Sequence, residues 1–327
     1  MMKRRAVLGG AASSLAIGSL PRFAAAQAWP TRSIRHVVPF PAGGITDVLA
    51  RRFCDRLGAQ LGRGVLVDNR PGAAGGIGCT AVAQSRPDGY TTLDAGIGTH
   101  VFNPMIYRRL AYDPVRDFTP VTLLTRFTPA LMVTSDSGFG SVADVIAAVR
   151  REPGKVAFGS SGIGSPGHVL VELFGRQIGS EPLHVPFAGG APAINAMASG
   201  AVQALFDFPI AAMPLIEAGR IVPLAILGSQ RLSLVPTVPT TRELGIDGLE
   251  MSVWRGLFLP ANAPRPIVDR LAAEAATVMA MRDIVAHCES SGVTAETSTP
   301  EAFAALMERE ADRWRPIIRD ANITIEG

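Results

Sequence analysis

The sequence repeats one local pattern four times: a short β-branched segment, a glycine-rich loop and then a helical segment. The first copy has a predicted strand at residues 34–40, a tight loop at 41–44 and a predicted helix at 45–61. Every fourth residue of that helix from Ile45 onward is apolar, which gives one stripe to pack on a sheet. This alternation predicts an α/β fold with parallel, doubly wound sheets.

The later copies follow the same order. The four glycine-rich loops are loop 1 (residues 39–44), loop 2 (71–76), loop 3 (159–167) and loop 4 (187–190). The other predicted elements are strands at 64–68, 90–93, 155–158, 183–187, 202–207 and 223–227, and helices at 77–84, 168–178, 191–198, 265–279 and 300–318. A serine at 141 and a threonine at 299 precede helical patterns as caps.

The first 28 residues have the three zones of a secretory signal peptide. Lys3, Arg4 and Arg5 form a basic start, residues 6–20 are apolar, and small residues lead to a predicted cleavage site after Ala28. The apolar part is too short to span a membrane. We therefore predict export to the periplasm by the Sec or the Tat route.

Removal of this peptide changes the net charge. The whole chain has 31 basic and 28 acidic residues, and the signal peptide contains four of the basic and none of the acidic ones. The mature protein therefore keeps 27 basic and 28 acidic residues. This balance removes the reason to expect a nucleic-acid partner.

The mature chain of 299 residues is longer than one hydrophobic core usually holds, so two domains are expected. Two apolar stretches, 121–133 and 251–259, are interpreted as crossings between them. The predicted lobe 1 is discontinuous, formed by residues 29–128 plus 253–327, and lobe 2 is formed by residues 129–252.

The cysteines give no sign of a metal or redox site. Cys54, Cys79 and Cys288 lie far apart without CxxC spacing. An exported protein can form one disulfide among these three cysteines, but buried, unpaired side chains are the favoured interpretation. We predict no metal and no cofactor.

The four loops are the predicted binding site. Loops that follow parallel strands lie at the carboxyl edge of a sheet, where ligands bind. Glycine allows close approach of the backbone, and the start of a helix presents N–H groups that attract an anion. Loops 1, 2 and 4 contain neither lysine nor histidine, although Arg70 adjoins loop 2. Backbone donors are therefore expected to hold a carboxylate.

Longer motifs carry a family resemblance. Residues 38–47 are VPFPAGGITD, residues 67–78 are VDNRPGAAGGIG, residues 112–121 are YDPVRDFTPV, and residues 185–193 are VPFAGGAPA. Together they resemble the receptors of tripartite tricarboxylate transporters, also called Bug proteins. The motifs occur in order along the whole mature chain.

This resemblance implies a type II periplasmic-binding-protein fold, in which two lobes joined by a two-segment hinge close over a ligand cleft. It implies a monomer without catalysis that binds a di- or tricarboxylate, an acidic amino acid or an aromatic acid. The implied partners are the membrane permease subunits of such a transporter, with sensing as the other role. The implied ligand contacts are Phe40, Pro41, Ala42, Gly43, Gly44, Thr46, Asp47, Gly75, Gly76, Ser161, Ser165, His168, Phe187, Ala188, Gly189, Gly190, Ala191 and Asp207.

Two of these implied ligand contacts, Phe187 and Asp207, need separate comment. Phe187 stands where the family often has tyrosine, which removes a hydroxyl group near the cleft. Asp207 has two interpretations: it accepts a hydrogen bond from the ligand, or it caps the helix that begins near Pro209. Loop 3 carries no diagnostic motif.

Two enzyme classes are the alternatives. Residues 162–167, GIGSPG, match the dinucleotide fingerprint of an NAD(P)-dependent oxidoreductase, but the next predicted strand does not end in the acidic residue that a ribose requires. A serine hydrolase that uses His168 or His184 with Asp207 lacks the G-x-S-x-G elbow. His168 and Glu172 have a metal-binding spacing without a third ligand.

Overall fold

The structure, a computed structural model, describes residues 29–325. The predicted signal peptide lies outside the described residues. The strands are β1 Ile34–Val38, β2 Val65–Asn69, β3 Thr91–Gly96, β4 Phe118–Phe127, β5 Ala130–Thr134, β6 Ala157–Ser160, β7 Leu183–Pro186, β8 Ala204–Asp207, β9 Ile221–Ile226, β10 Val253–Pro260 and β11 Val293–Ala295.

The helices lie between these strands and after them. They are α1 Ile45–Leu61, α2 Gly76–Ala83, α3 Asn103–Ile106, α4 Val142–Arg151, α5 Pro166–Ile178, α6 Gly190–Ala198, α7 Pro209–Glu217, α8 Arg265–Met279, α9 Arg282–Ser290 and α10 Pro300–Asp320. Within residues 29–325, none of them has the length and apolarity needed to cross a lipid bilayer.

The strands form two sheets. The first has the order β11-β4-β10-β3-β1-β2 and the second has the order β7-β6-β8-β5-β9. The predicted α/β class with two doubly wound sheets is confirmed. The expectation of wholly parallel sheets is wrong, because β10 is antiparallel to β3 and β4, and β5 is antiparallel to β8 and β9.

Local sequence explains the element ends. The side chain of Ser141 accepts a hydrogen bond from the backbone N–H of Asp144, and Thr299 does the same for Ala302, so both predicted caps are confirmed. Helix α1 ends at Gly62, whose φ of 66° is left-handed and favours glycine. The sequence prediction missed α9 and β11.

Apolar packing extends across both sheets. One buried cluster includes Phe102 and Trp254 near the first sheet and Phe158 and Phe174 near the second. Trp254 and Trp314 are fully buried, whereas Trp29 is half-buried and packs on Tyr90. The three cysteines are buried and unpaired.

A buried ion pair lies inside the first sheet. Arg255 on β10 donates through Nε to Oδ1 of Asp94 on β3 at 2.9 Å, and a second bond joins the same two groups. Burial opposes ionisation of Asp94, but Arg255 and His36 together outweigh burial and hold the pKa of that carboxyl below its ordinary value. The pair ties β10 to β3, which is the neighbour of β1 in the sheet.

Candidate ligand-binding site

Loops 1 and 2 lie against each other at the carboxyl edge of the first sheet. The backbone N–H of Arg70 donates to the carbonyl of Val38 at 2.9 Å, and Nδ2 of Asn69 donates to the carbonyl of Phe40 at 3.2 Å. A side chain on Gly78 would lie 2.7 Å from Cβ of Pro39, so glycine permits this contact. Loops 1 and 2 therefore form one surface.

Asp47 holds loop 1 in place through hydrogen bonds to its carboxylate. Its carboxylate accepts from the backbone N–H of Gly43 at 2.9 Å, from Nε of Arg51 at 3.0 Å and from Nδ2 of Asn69 at 2.8 Å. Burial alone would raise its pKa, but the bonds from Arg51, Gly43 and Asn69 outweigh burial and lower the pKa to about 2. Asp47 is thus a permanently ionised group that orients the loop.

Loop 2 has an unusual backbone. Gly75 has a φ of 89°, and a Cβ there would lie 2.7 Å from Cγ2 of Thr99. Ala73 and Ala74 also have positive φ values, 47° and 48°, which cost an alanine about 1–2 kcal/mol each. Asn103 stabilises this turn by donating through Nδ2 to the carbonyl of Ala74 at 3.1 Å. The strained turn leaves residues 71–74 exposed and buries Gly75 and Gly76 at the start of α2.

Loops 3 and 4 form the matching surface on the second sheet. The backbone N–H of Phe187 donates to the carbonyl of Ser160 at 2.9 Å, and a side chain on Gly162 would lie 3.3 Å from the carbonyl of Phe187. Ser161 is partly exposed in loop 3, whereas the side chain of Ser165 accepts from the N–H of His168 and caps α5.

His168 lies behind loop 3. It is 7% exposed, and its Nδ1 accepts from the N–H of Gly164 at 3.0 Å. Its ring stacks on His184, whose Nε2 lies 2.7 Å from Oγ of Ser160. The structure therefore places His168 where it contacts the loop backbone.

Asp207 ends β8 beside the start of α6. Its Oδ1 accepts from the N–H of Phe208 at 2.7 Å, and a Cβ on Gly190 would lie 3.3 Å from its Oδ2. Asp207 is half-buried, and none of the ion pairs found among residues 29–325 includes it. Burial raises its pKa to about 6, although the bond from Phe208 lowers it. One oxygen bonds the backbone before α7, and the other faces loop 4.

Backbone groups dominate the chemistry of these surfaces. The N-cap residues of helices α1, α2 and α6 are Gly44, Gly75 and Gly189, and none of these three starts has a side-chain cap. Arg70, the cation beside loop 2, is bound to Asp68 at 2.8 Å. The N–H groups of Gly75, Gly76 and Ile77 at the start of α2 already donate to carbonyls of loop 2. The N–H groups at the starts of α1 and α6 are therefore the available donors for an anion.

Contacts between the sheets bring the two surfaces towards each other. The rings of Phe127 on β4 and Phe208 after β8 have centroids 5.3 Å apart. A Cβ on Gly164 in loop 3 would lie 3.2 Å from Cδ1 of Ile106 on α3. Loop 3 therefore touches the first-sheet side of the molecule.

The geometry also bears on the two enzyme alternatives. The strand after loop 3, β7, ends at Pro186 and carries no acidic group for a ribose. Ser160 contacts His184 but is completely buried. No cluster of three or more metal-ligating side chains is present in the described part of the chain.

Sequence reasoning missed several residues that hold the loops. Asn69 and Asn103 support loops 1 and 2, and Ser160 and His184 support loop 3. Arg51, which holds Asp47, is the one supporting residue that the sequence signals. It follows Asp47 by four residues on a predicted helix, a spacing at which opposite charges pair.

Comparison with known proteins assigns the family. The sequence profile described as "Tripartite tricarboxylate transporter family receptor" matches residues 49–323. The chain belongs to this receptor family. A protein of Pseudomonas sp. strain P51, from the tcbD-tcbE intergenic region, is 35% identical over 316 residues, which cover 96% of this chain and 94% of that protein.

Two solved structures are similar to this receptor. R. palustris Rpa4515 with adipate has a TM-score of 0.84 and 36% identity, with 91% of this chain and 100% of that chain covered. MatC (Rpa3494) from Rhodopseudomonas palustris with bound malate has a TM-score of 0.80 and 31% identity, with 89% and 100% covered. The predicted family and the two-lobed solute-binding fold are confirmed.

Proposed function

We propose that this receptor captures a small carboxylate between the surface of loops 1 and 2 and the surface of loops 3 and 4. The observation that carries the proposal is the pair of uncapped helix starts, α1 beside the first sheet and α6 beside the second. Such starts bind anions through backbone N–H groups. The two similar solved structures are those with adipate and with bound malate, both dicarboxylates, which supports this ligand class.

The proposed binding movement is closure of two lobes. Residues 29–128 with 253–327 form the first lobe and residues 129–252 form the second, so the hinge has two segments. A ligand favours the closed state only through contacts that improve on closure. A carboxylate held by the start of α1 on one side and by the start of α6 on the other meets that condition.

Asp207 shapes the choice of ligand in this proposal. A half-buried carboxylate without a paired cation repels an ionised ligand end but accepts a hydrogen bond from a hydroxyl, an ammonium or a protonated carboxyl group. A ligand with one carboxylate and one donor group therefore fits the second-sheet surface best. Candidates are hydroxy-dicarboxylates, acidic amino acids and dicarboxylates bound with one proton.

The biological setting follows from the family. We propose that the receptor acts as a monomer in the periplasm after removal of residues 1–28, and that it has no enzymatic activity. The closed, liganded form would be recognised by permease subunits of a tripartite tricarboxylate transporter, or would report the solute to a sensing system.

Ligand binding is the direct test. The purified protein would be screened by thermal shift against adipate, malate, other di- and tricarboxylates, acidic amino acids and aromatic acids, followed by calorimetry. A ligand at 100 times its Kd stabilises the fold by about 2.7 kcal/mol, which is visible as a higher Tm. Binding of NADH without a response to any carboxylate would favour the oxidoreductase alternative.

Charge variants locate the site. Ala42 in loop 1 and Ala191 at the start of α6 are exposed, so glutamate at either position places a negative charge beside the proposed carboxylate. We expect Ala42→Glu and Ala191→Glu to weaken binding about tenfold or more, and the matched glutamine variants to weaken it much less. Ala273→Glu, on the exposed side of α8, is the remote control. Equal effects of Glu and Gln would place the site elsewhere.

A further inference from the structure

Two stacked histidines underlie loop 3. The rings of His168 on α5 and His184 on β7 have centroids 3.9 Å apart and planes 8° apart. His168 is buried and His184 is half-buried. They come from different elements, so their contact joins the helix after loop 3 to the strand before loop 4.

Each histidine also bonds to the chain of loop 3. The N–H of Gly164 donates to Nδ1 of His168 at 3.0 Å, which requires that nitrogen to be unprotonated. Nε2 of His184 lies 2.7 Å from Oγ of Ser160, and the same oxygen accepts from the N–H of Gly162 at 3.2 Å. The loop is therefore fastened at its start by one histidine and at its middle by the other.

The charged surroundings of the pair are sparse. Glu172 lies one turn after His168 on α5, with its Oε1 3.6 Å from Nε2 of that histidine. The remaining titratable or charged side chains on α5, β6, β7 and β8 are Arg176, which pairs with Asp320 at 3.1 Å, and Asp207 at the end of β8. The carboxylate that faces the pair is thus Glu172.

We propose that His168 and His184 are positioning residues for loop 3, and that uptake of a proton by the pair releases the loop and weakens ligand binding. The effect on the ligand rests on the function proposed above. The effect on the loop does not, because it depends only on the bond between Gly164 and His168.

The chemistry of the bond gives the direction. A proton on Nδ1 of His168 turns the acceptor of Gly164 into a donor, so two N–H groups face each other and the bond is lost. Two charged rings at 3.9 Å repel strongly, so the pair takes up one proton. Burial, and then the charge of His168, lower the pKa of His184 to about 4, which keeps the second ring neutral.

A ligand-free experiment tests the loop. The amide of Gly164 and the ring nitrogens of His168 would be followed by ¹⁵N NMR from pH 8 to pH 5, with far-UV circular dichroism as the check of folding. We expect the amide and the ring to shift with one midpoint in the natural sequence. His168→Asn puts an oxygen that does not titrate near the position of Nδ1, so the Gly164 amide should lose its pH dependence. An amide that does not shift, or that titrates unchanged in His168→Asn, would overturn the proposal.

A binding experiment tests the consequence, with adipate as the probe. Where binding requires loss of one proton, affinity falls about tenfold per pH unit below the midpoint. We expect a steeper fall for the natural sequence than for His168→Asn, while Asp207 contributes equally to both. Equal slopes would overturn the coupling to the ligand. Failure of adipate to bind at pH 8 would count against the function proposed above, and the Gly164 titration would still decide the role of the histidines.

Discussion

Replacement of Asp47 by asparagine tests whether one buried carboxylate holds loop 1. In the structure its two oxygens accept bonds from Gly43, Arg51 and Asn69. Asparagine keeps the size of the side chain but removes the charge and replaces one acceptor with a donor. At least one of the three bonds must then be lost.

The magnitude follows from the pKa. The pKa of Asp47 falls from 3.8 to about 2, and each unit corresponds to 1.36 kcal/mol, so its charged form stabilises the fold by about 2 kcal/mol at pH 7. Because the folded pKa is the lower one, this stability is present above pH 4 and is lost as the pH falls towards 2. About half of it should remain at pH 3.

Urea unfolding measures the difference, with fluorescence of the buried Trp254 and Trp314 as the signal. We expect Asp47→Asn to lower the free energy of unfolding by about 2 kcal/mol at pH 7 and by about 1 kcal/mol at pH 3. Asp55→Asn, on the exposed side of the same helix, should change it little at either pH. A loss that is the same at pH 7 and pH 3 would refute the electrostatic account.

Three further variants address other parts of the chain. Gly75→Ala meets both a left-handed φ and a close threonine methyl, so it should cost about 2 kcal/mol or more in urea unfolding, against about 1 kcal/mol for Gly62→Ala, which has the same sign of φ and open space. Arg255→Met leaves Asp94 buried without its cation and should cost about 3–5 kcal/mol, measured as a lower Tm; a neutral result would mean that water reaches the carboxylate. Asp207→Asn removes a buried charge whose pKa is raised to about 6, so it should raise the Tm at pH 7.5, and the gain should vanish by pH 4, where the carboxyl is already protonated. A gain that persists at pH 4 would assign it to packing.

Much of the fold is predictable because the local signals are strong. Helix α1 has the predicted bounds, since a glycine loop precedes it and a left-handed glycine ends it. The direction of β10 is not predictable, because a buried strand has the same apolar sequence pattern whether it runs parallel or antiparallel to its neighbours. Helix α9 is short and polar, and β11 has three residues, so neither has a clear period in the sequence.

The candidate site is likewise predictable only in part. The glycine-rich loops are visible in the sequence, because chain geometry demands glycine at positions such as Gly75. Their supports are not visible, because they bond across long separations: Asn69 is 22 residues from Asp47, and His184 is 24 residues from Ser160. Such pairs depend on which strands become neighbours, and one sequence does not state that.

The position of β10 sets the order in which the molecule can be completed. The second sheet has all its strands once residue 226 has been synthesised, whereas the first sheet lacks the strand that joins β3 to β4 until residue 260 follows. Until then β3 presents an open edge, and β4 cannot join the sheet beside β3, because β10 lies between them. A growing chain therefore cannot complete its first sheet until about four-fifths of it has been synthesised. The early strand β3 depends for its pairing on the late strand β10.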